Sequence, residues 1–257
     1  MGHALRAGSG TRRVDGEIAS RTAQTAPGDV VGSRSVPDAR LLEKCYANLA
    51  TVGVGDAVSV AAQVREAVAG AERRSFLRAR DLDGSRAAVE SELSRLAGRG
   101  ELVRVRKGLY YRPPPRGRRR PPPLEAGLAI GGRGAGPAGV SAARLLGLTT
   151  QVPGVETAAV PGRAPAGWDG VRFVARSYIR RELGLNPYEV GLLEVLRDFD
   201  RVSEEPFERL VEVVGQAVDS ERIRLERIEQ AAEQEWDLAT RRRWHRLRER
   251  LGVLAAV

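Results

Sequence analysis

The chain has 257 residues, 42% apolar and 5% aromatic, with a formal charge of +9 and an isoelectric point near 10.6. That length suits roughly two domains, with cores built mostly from Leu, Val and Ala. No run approaches the ~18 apolar residues of a bilayer span, and MGHALRAGSGTRR lacks an apolar leader core, so the expectation is no membrane partner, no secretory signal and a cytoplasmic location.

Cysteine and histidine narrow the chemistry further. Cys45 is alone, which excludes an intramolecular disulfide and a multi-cysteine metal site and leaves an inert thiol. His3 and His245 lie far apart, which argues against a histidine metal cluster or triad. With no convincing acid–base carboxylate pair, the chain reads as a non-enzyme without cofactor. Many Asp and Glu residues sit beside arginines at helical spacing, where i,i+4 pairing suffices to explain them.

The first 40 residues mix Gly, Ser, Thr, Arg and Pro without apolar period and are expected to be a disordered tail. A first domain is expected over residues 41–112. Leu41 to Val54 carries a short helical pattern. Val60, Val64 and Val68 then recur at helical spacing, SFLRARDL reads as a short second helix from Ser75, and Asp83-Gly84 supplies a turn. Ser85 is placed to cap the next helix. Val89, Leu93 and Leu96 form its apolar stripe, leaving Ala87, Ser91, Ser94 and Arg95 on the other side. Gly98 and Gly100 stop it.

Val103 and Val105 then alternate with Arg104 and Arg106, the period of a half-buried strand. Lys107-Gly108 offers a hairpin turn, and Leu109 to Arg112 return. Helix, short helix, helix, ribbon is the order of a winged helix-turn-helix, in which the last helix enters the DNA major groove and the hairpin tracks the backbone. Charge points the same way. Between Glu101 and Arg120 stand eight cations against Glu101 alone, a net +7 of the chain's +9. Such concentration attracts polyphosphate and makes binding salt-dependent. A GC-rich genome explains arginine in place of lysine, but not this clustering.

PPPRGRRRPPP, residues 113–123, excludes helix and central strand and reads as a semi-rigid basic linker. It could lie along phosphates or hold two domains apart. Gly134-Ala135-Gly136-Pro137-Ala138-Gly139 matches the dinucleotide pattern G-x-G-x-x-G, with Glu156 near the distance of a ribose-binding acid. A flavin- or nicotinamide-binding oxidoreductase is therefore one alternative, but the strand before the glycines and the further βαβ units are missing. A second alternative is an RNA-binding module using the linker, although scarce aromatics argue against base stacking.

Residues 155–160 and 171–175 read as strands of a small sheet. Asn186-Pro187-Tyr188-Glu189 is a capped helix start followed by a buried face of Val190, Leu193 and Leu196. From Pro206 the chain reads as amphipathic helices with a balanced surface, and Arg241 to Arg243 as a solvated face. The expected fold is α+β: an N-terminal winged helix-turn-helix, then a mixed α/β domain over 124–251 ending in helices.

The runs SRAAVESELSRLAGRGELVRVRKGLYY, SAARLLGLTTQVPG, VRFVARS and LNPYEVGLLEVLRD resemble the antitoxin family of AbiE-type (type IV) abortive-infection toxin–antitoxin systems, over about residues 58 to 200. The resemblance lies in order and spacing rather than in a catalytic motif. It implies a winged-helix repressor that binds operator DNA of its own operon. It further implies a C-terminal domain that neutralises a nucleotidyltransferase-like toxin without a stable complex. Carried over, the recognition helix is Ser85 to Arg99 and the wing Leu102 to Tyr111. The long N-terminal tail, the Pro/Arg linker and the glycine-rich loop at 131–139 depart from the family.

The expected partner is thus double-stranded operator DNA, with a homodimer on an inverted repeat as the symmetric possibility. Arg86 and Arg95 are expected to approach base edges or nearby phosphates, with Ser85 and Ser91 beside them. Arg104, Arg106, Lys107 and Arg112 are expected to hold phosphates.

Overall fold

Two helices and a three-stranded sheet enclose the first of the molecule's cores. The computed structural model describes residues 59–117 and 119–254; the expected tail, the Leu41–Val54 helix and Cys45 lie outside the described residues. Ser59 caps α1 (Val60–Gly70), its hydroxyl accepting the Ala62 N–H at 3.2 Å. A strand β1 (Phe76–Arg78) and a single 3-10 turn (Ala79–Asp81) follow, then α2 (Arg86–Gly98) and the hairpin strands β2 (Val103–Arg106) and β3 (Leu109–Tyr111).

The second helix expected from Ser75 is therefore half strand. Phe76, Leu77 and Arg78 pair antiparallel with Tyr111, Tyr110 and Leu109, and sheet pairing takes a segment too short to repay helix nucleation. The sheet order is β1-β3-β2, antiparallel throughout.

Side-chain alternation gives the sheet two faces. Tyr110 and Leu77 join Val64, Val68, Val89, Leu93, Leu96 and Leu102 in the core under α1 and α2. Val105, Leu109 and Tyr111 face the other way, against Ala126, Ala129 and Trp168. α2 stops by a Schellman arrangement: Glu101 N–H donates to Leu96 C=O and Gly100 N–H to Ala97 C=O, both at 3.0 Å. Gly100 sits at φ 75°, a conformation that a Cβ would strain.

The second face of the sheet is covered by the chain that follows the Pro/Arg segment. α3 (Pro123–Gly131) packs on the hairpin through Ala126, and the Trp168 indole N–H donates to Val105 C=O at 3.1 Å. The parts before and after the Pro/Arg segment belong to one compact unit, Ala57–Val257.

A second sheet, β4 (Gly136–Pro137), β5 (Glu156–Pro161) and β6 (Val171–Arg176), lies under α3; β5 and β6 are the two strands expected from sequence. They run parallel, joined by residues 162–170, shorter than the dozen or so that such a crossover usually needs. Ala158 and Val160 of β5 face the α3 side, and Ala159 faces the largest core. That core is closed by α4 (Val140–Leu145), α6 (Pro187–Val202), α7 (Phe207–Asp219), α8 (Leu225–Gln234) and α9 (Leu238–Leu254), with α5 (Ile179–Glu182) a short turn before α6.

The expected capping box on α6 is present. Asn186 Oδ1 accepts the N–H groups of Tyr188 and Glu189, and Glu189 Oε2 accepts the Asn186 N–H. Val190, Leu193 and Leu196 are fully buried. α6 kinks at Asp198. Arg243 donates to the carbonyls of Leu196 and Arg197 at 2.8 and 2.9 Å beside that kink, so it is not merely part of a solvated face. Among the described residues, no helix is long and apolar enough to cross a membrane.

Candidate nucleic-acid interface

α2 turns its apolar stripe and Glu92 inward, which leaves Arg86, Ala87, Ser91, Ser94, Arg95 and Gly98 exposed. The free face therefore has cations toward its two ends and small residues between them. The Ser85 hydroxyl is engaged as the cap, accepting the Ala88 N–H at 3.4 Å.

The hairpin also exposes its cations. Val105 is buried while Arg104, Arg106 and Lys107 are exposed, and none of the three forms an ion pair among the described residues. A bulge between Arg104 and Arg106 bends the strand at its tip. The turn keeps only Gly108 at positive φ, 71°.

Helix and hairpin meet across a cleft of about 250 Å³ lined by Arg78, Arg80, Arg86, Glu90, Arg106 and Lys107. Five cations and one carboxylate line it, of which Arg78 donates to Ala129 C=O and Arg80 pairs with Asp81 at 3.5 Å. Arg86 donates to Glu90 at 3.0 Å, an exposed pair that contributes little to stability. This hydrogen bond, together with the charges of Arg86, Lys107 and Arg104, holds the Glu90 carboxyl below its ordinary range. The helix and the hairpin therefore share one cationic field.

Glu92 is a residue that the sequence reading passed over. It lies on the buried stripe of α2 at 2% exposure, where it accepts from Arg95 at 3.0 Å and from Arg65 of α1 at 3.1 Å. Those bonds, Arg95 first, hold it ionised below the usual carboxylate range. A carboxylate three residues from Arg95, inside an apolar stripe, was the available signal. Its consequence is that one guanidinium N–H of Arg95 is engaged by Glu92. Arg78 and Arg80 were also missed, because they were read as part of a short helix.

Arg112 is placed away from the other expected phosphate ligands. Its guanidinium donates to Ala69 C=O at 2.9 Å and to Ala71 C=O, closing the C-terminal end of α1. It is half-buried, and burial followed by neighbouring Arg73 lowers its pKa. Its bonds are used in the fold, which removes it from the free cations of the hairpin.

The glycine-rich loop also has another task. Helix α3, not a strand, precedes it, and Gly136 itself starts β4 against β5. A Cβ at Gly134 would lie 2.6 Å from the Arg180 backbone, and one at Gly136 would lie 2.4 Å from the Val190 side chain. Gly134 and Gly136 let α5 and α6 approach, so close packing accounts for these two, while Gly139 meets nothing within 4 Å and takes φ 56° before α4. A larger cleft of about 390 Å³ lies between α4, β6 and α6. Its Arg176 is already paired with Glu194 at 2.7 Å, so it presents mixed rather than cationic chemistry.

No family model matches the chain, and no curated protein does. Among solved structures it is similar to the crystal structure of the RV2827C protein from Mycobacterium tuberculosis. The identity is 19%, over 77% of this chain and 79% of that one, with a TM-score of 0.39. The functional reading accordingly rests on this chain's own residues.

Proposed function

We propose that the chain is a duplex-DNA-binding transcriptional repressor of winged-helix type, with α2 as recognition helix and the β2–β3 hairpin as wing. The observation that carries this reading is the cleft in which Arg86 of α2 meets Arg106 and Lys107 of the hairpin, beside an exposed helix face of small residues. The β1-β3-β2 order behind two helices supports the winged-helix assignment.

In this reading the field of the hairpin draws the phosphate backbone and fixes register. The small face of α2 then lies in the major groove, where Arg95, braced by Glu92, donates in bidentate fashion to a guanine edge. Ser91 and Ser94 adjust to the neighbouring bases.

Selection from a random-sequence duplex pool tests the division of labour. The native chain is expected to enrich one motif. A variant with Arg104, Arg106 and Lys107 changed to Ala is expected to enrich the same motif more weakly, and Arg95→Ala a relaxed one. A native chain that enriches no motif contradicts the reading.

The repressor's place as the antitoxin of a type IV system is proposed on the family resemblance. Its test is rescue of growth when the chain is co-expressed with a nucleotidyltransferase-like toxin encoded beside it. Unrelieved arrest contradicts that part alone.

A further inference from the structure

We propose that the segment Pro113–Arg120 is a second DNA-contacting arm, one that enters the minor groove beside the site held by α2 and favours an A·T-rich flank there. The inference rests on the DNA-binding reading above and extends it to a groove that the hairpin does not serve.

The segment is fastened at both ends. Pro113 and Pro121 are buried, and Arg73 donates to the Pro113 carbonyl at 3.4 Å. Arg119 donates to the Gly100 carbonyl, and Arg120 pairs with Asp169 at 2.6 Å. Pro115, Arg116 and Gly117 between these fastenings are exposed. Prolines limit the conformational freedom of the segment and so the entropy that binding would cost.

Its position on α2 matters more than its charge. The bond from Arg119 to Gly100 sets the arm at the C-terminal end of α2, whereas the hairpin cleft includes Arg86 and Glu90 at the N-terminal end. α2 has 13 residues, and at 1.5 Å per residue it is about 20 Å long. A major groove is ~12 Å wide and a minor groove ~6 Å. A helix lying in the first therefore has phosphates, and then a minor groove, within reach beyond each end. The hairpin occupies one side, and the Pro/Arg segment is the feature built at the other.

Its chemistry suits a minor groove. A narrow A-tract groove concentrates negative potential and takes up arginine in particular. Arg116 is an arginine on an exposed bend with no ion pair among the described residues. Residues 113–122 include no aromatic, so stacking on single-stranded bases is not their means of contact.

The experiment places the motif selected by the native chain between A-tract or G·C flanks and measures affinity by fluorescence anisotropy. The A-tract duplex is expected to bind about fivefold more tightly, and the minor-groove ligand netropsin is expected to remove that gain. Arg116→Ala is expected to lose the gain while binding the G·C-flanked duplex as the native chain does. Arg119→Ala, which frees the fastening, is expected to reduce the gain with an unchanged melting temperature. A native chain indifferent to the flank overturns the arm and leaves the DNA-binding reading standing, and so does an Arg116→Ala chain that keeps the gain. Failure to bind any duplex overturns both.

Discussion

In the C-terminal half, Arg180 is wholly enclosed and donates to Glu194 at 2.7 Å and to Glu235 at 2.8 Å. Arg176 and Arg197 close the same two carboxylates from outside. Around the hairpin, Arg104, Arg106 and Lys107 are exposed and have no such partner among the described residues. The two regions are similarly rich in arginine and use it in opposite ways. What distinguishes the hairpin from the scaffold is that its three cations pair with no carboxylate among the described residues, whereas Arg86 and Arg95 of the neighbouring helix keep exposed partners. Burial alone would raise the Glu194 carboxyl; the charge of Arg180 and the bonds from Arg176 outweigh it and keep the group ionised.

The largest expected effect separates these regions directly. Arg180→Met leaves Glu194 and Glu235 with fewer partners in a buried site and is expected to cost about 3–5 kcal/mol in urea denaturation. Alanine at Arg104 and Arg106 is expected to change stability by no more than ~0.5 kcal/mol. A stable Arg180→Met chain would show that the buried network does not hold the C-terminal half together.

A smaller effect lies in a third use of charge. The Glu204 carboxylate accepts from the Thr150 N–H, the Gln151 amide and the Thr149 hydroxyl, and these bonds lower its pKa to about 2. A carboxyl depressed in the folded state stabilises above its unfolded pKa, ~4.3, and that contribution is lost as pH falls toward 2. Melting temperature should therefore decline over this window, and Glu204→Gln should remove part of the decline. Identical acid profiles for the two chains would dismiss the clip.

The sequence showed what depends on local spacing. The α2 stripe, its glycine stop, the β2 alternation and the Asn186 box are each written within a dozen residues, and each is present. What depends on distant partners was not visible. Three-residue β1 has no period of its own and exists because β3 pairs with it. Trp168 gives no sign in sequence that it will donate to Val105, sixty-three residues away. The same holds for the site: the outward arginines of the hairpin were legible from period two, whereas the loss of Arg112 to α1 required the fold. Gly134 and Gly136 fit a nucleotide pattern because close backbone approach selects glycine whatever approaches, a phosphate or a helix.

The central claim is that the cations of the hairpin meet phosphates while α2 reads bases. Its most direct test is the slope of log affinity against log salt for the selected duplex, native chain against the variant with Arg104, Arg106 and Lys107 changed to Ala. Each phosphate contact contributes ~0.9 to that slope, so the account predicts a variant slope shallower by about 2–3. Superimposable slopes would contradict it.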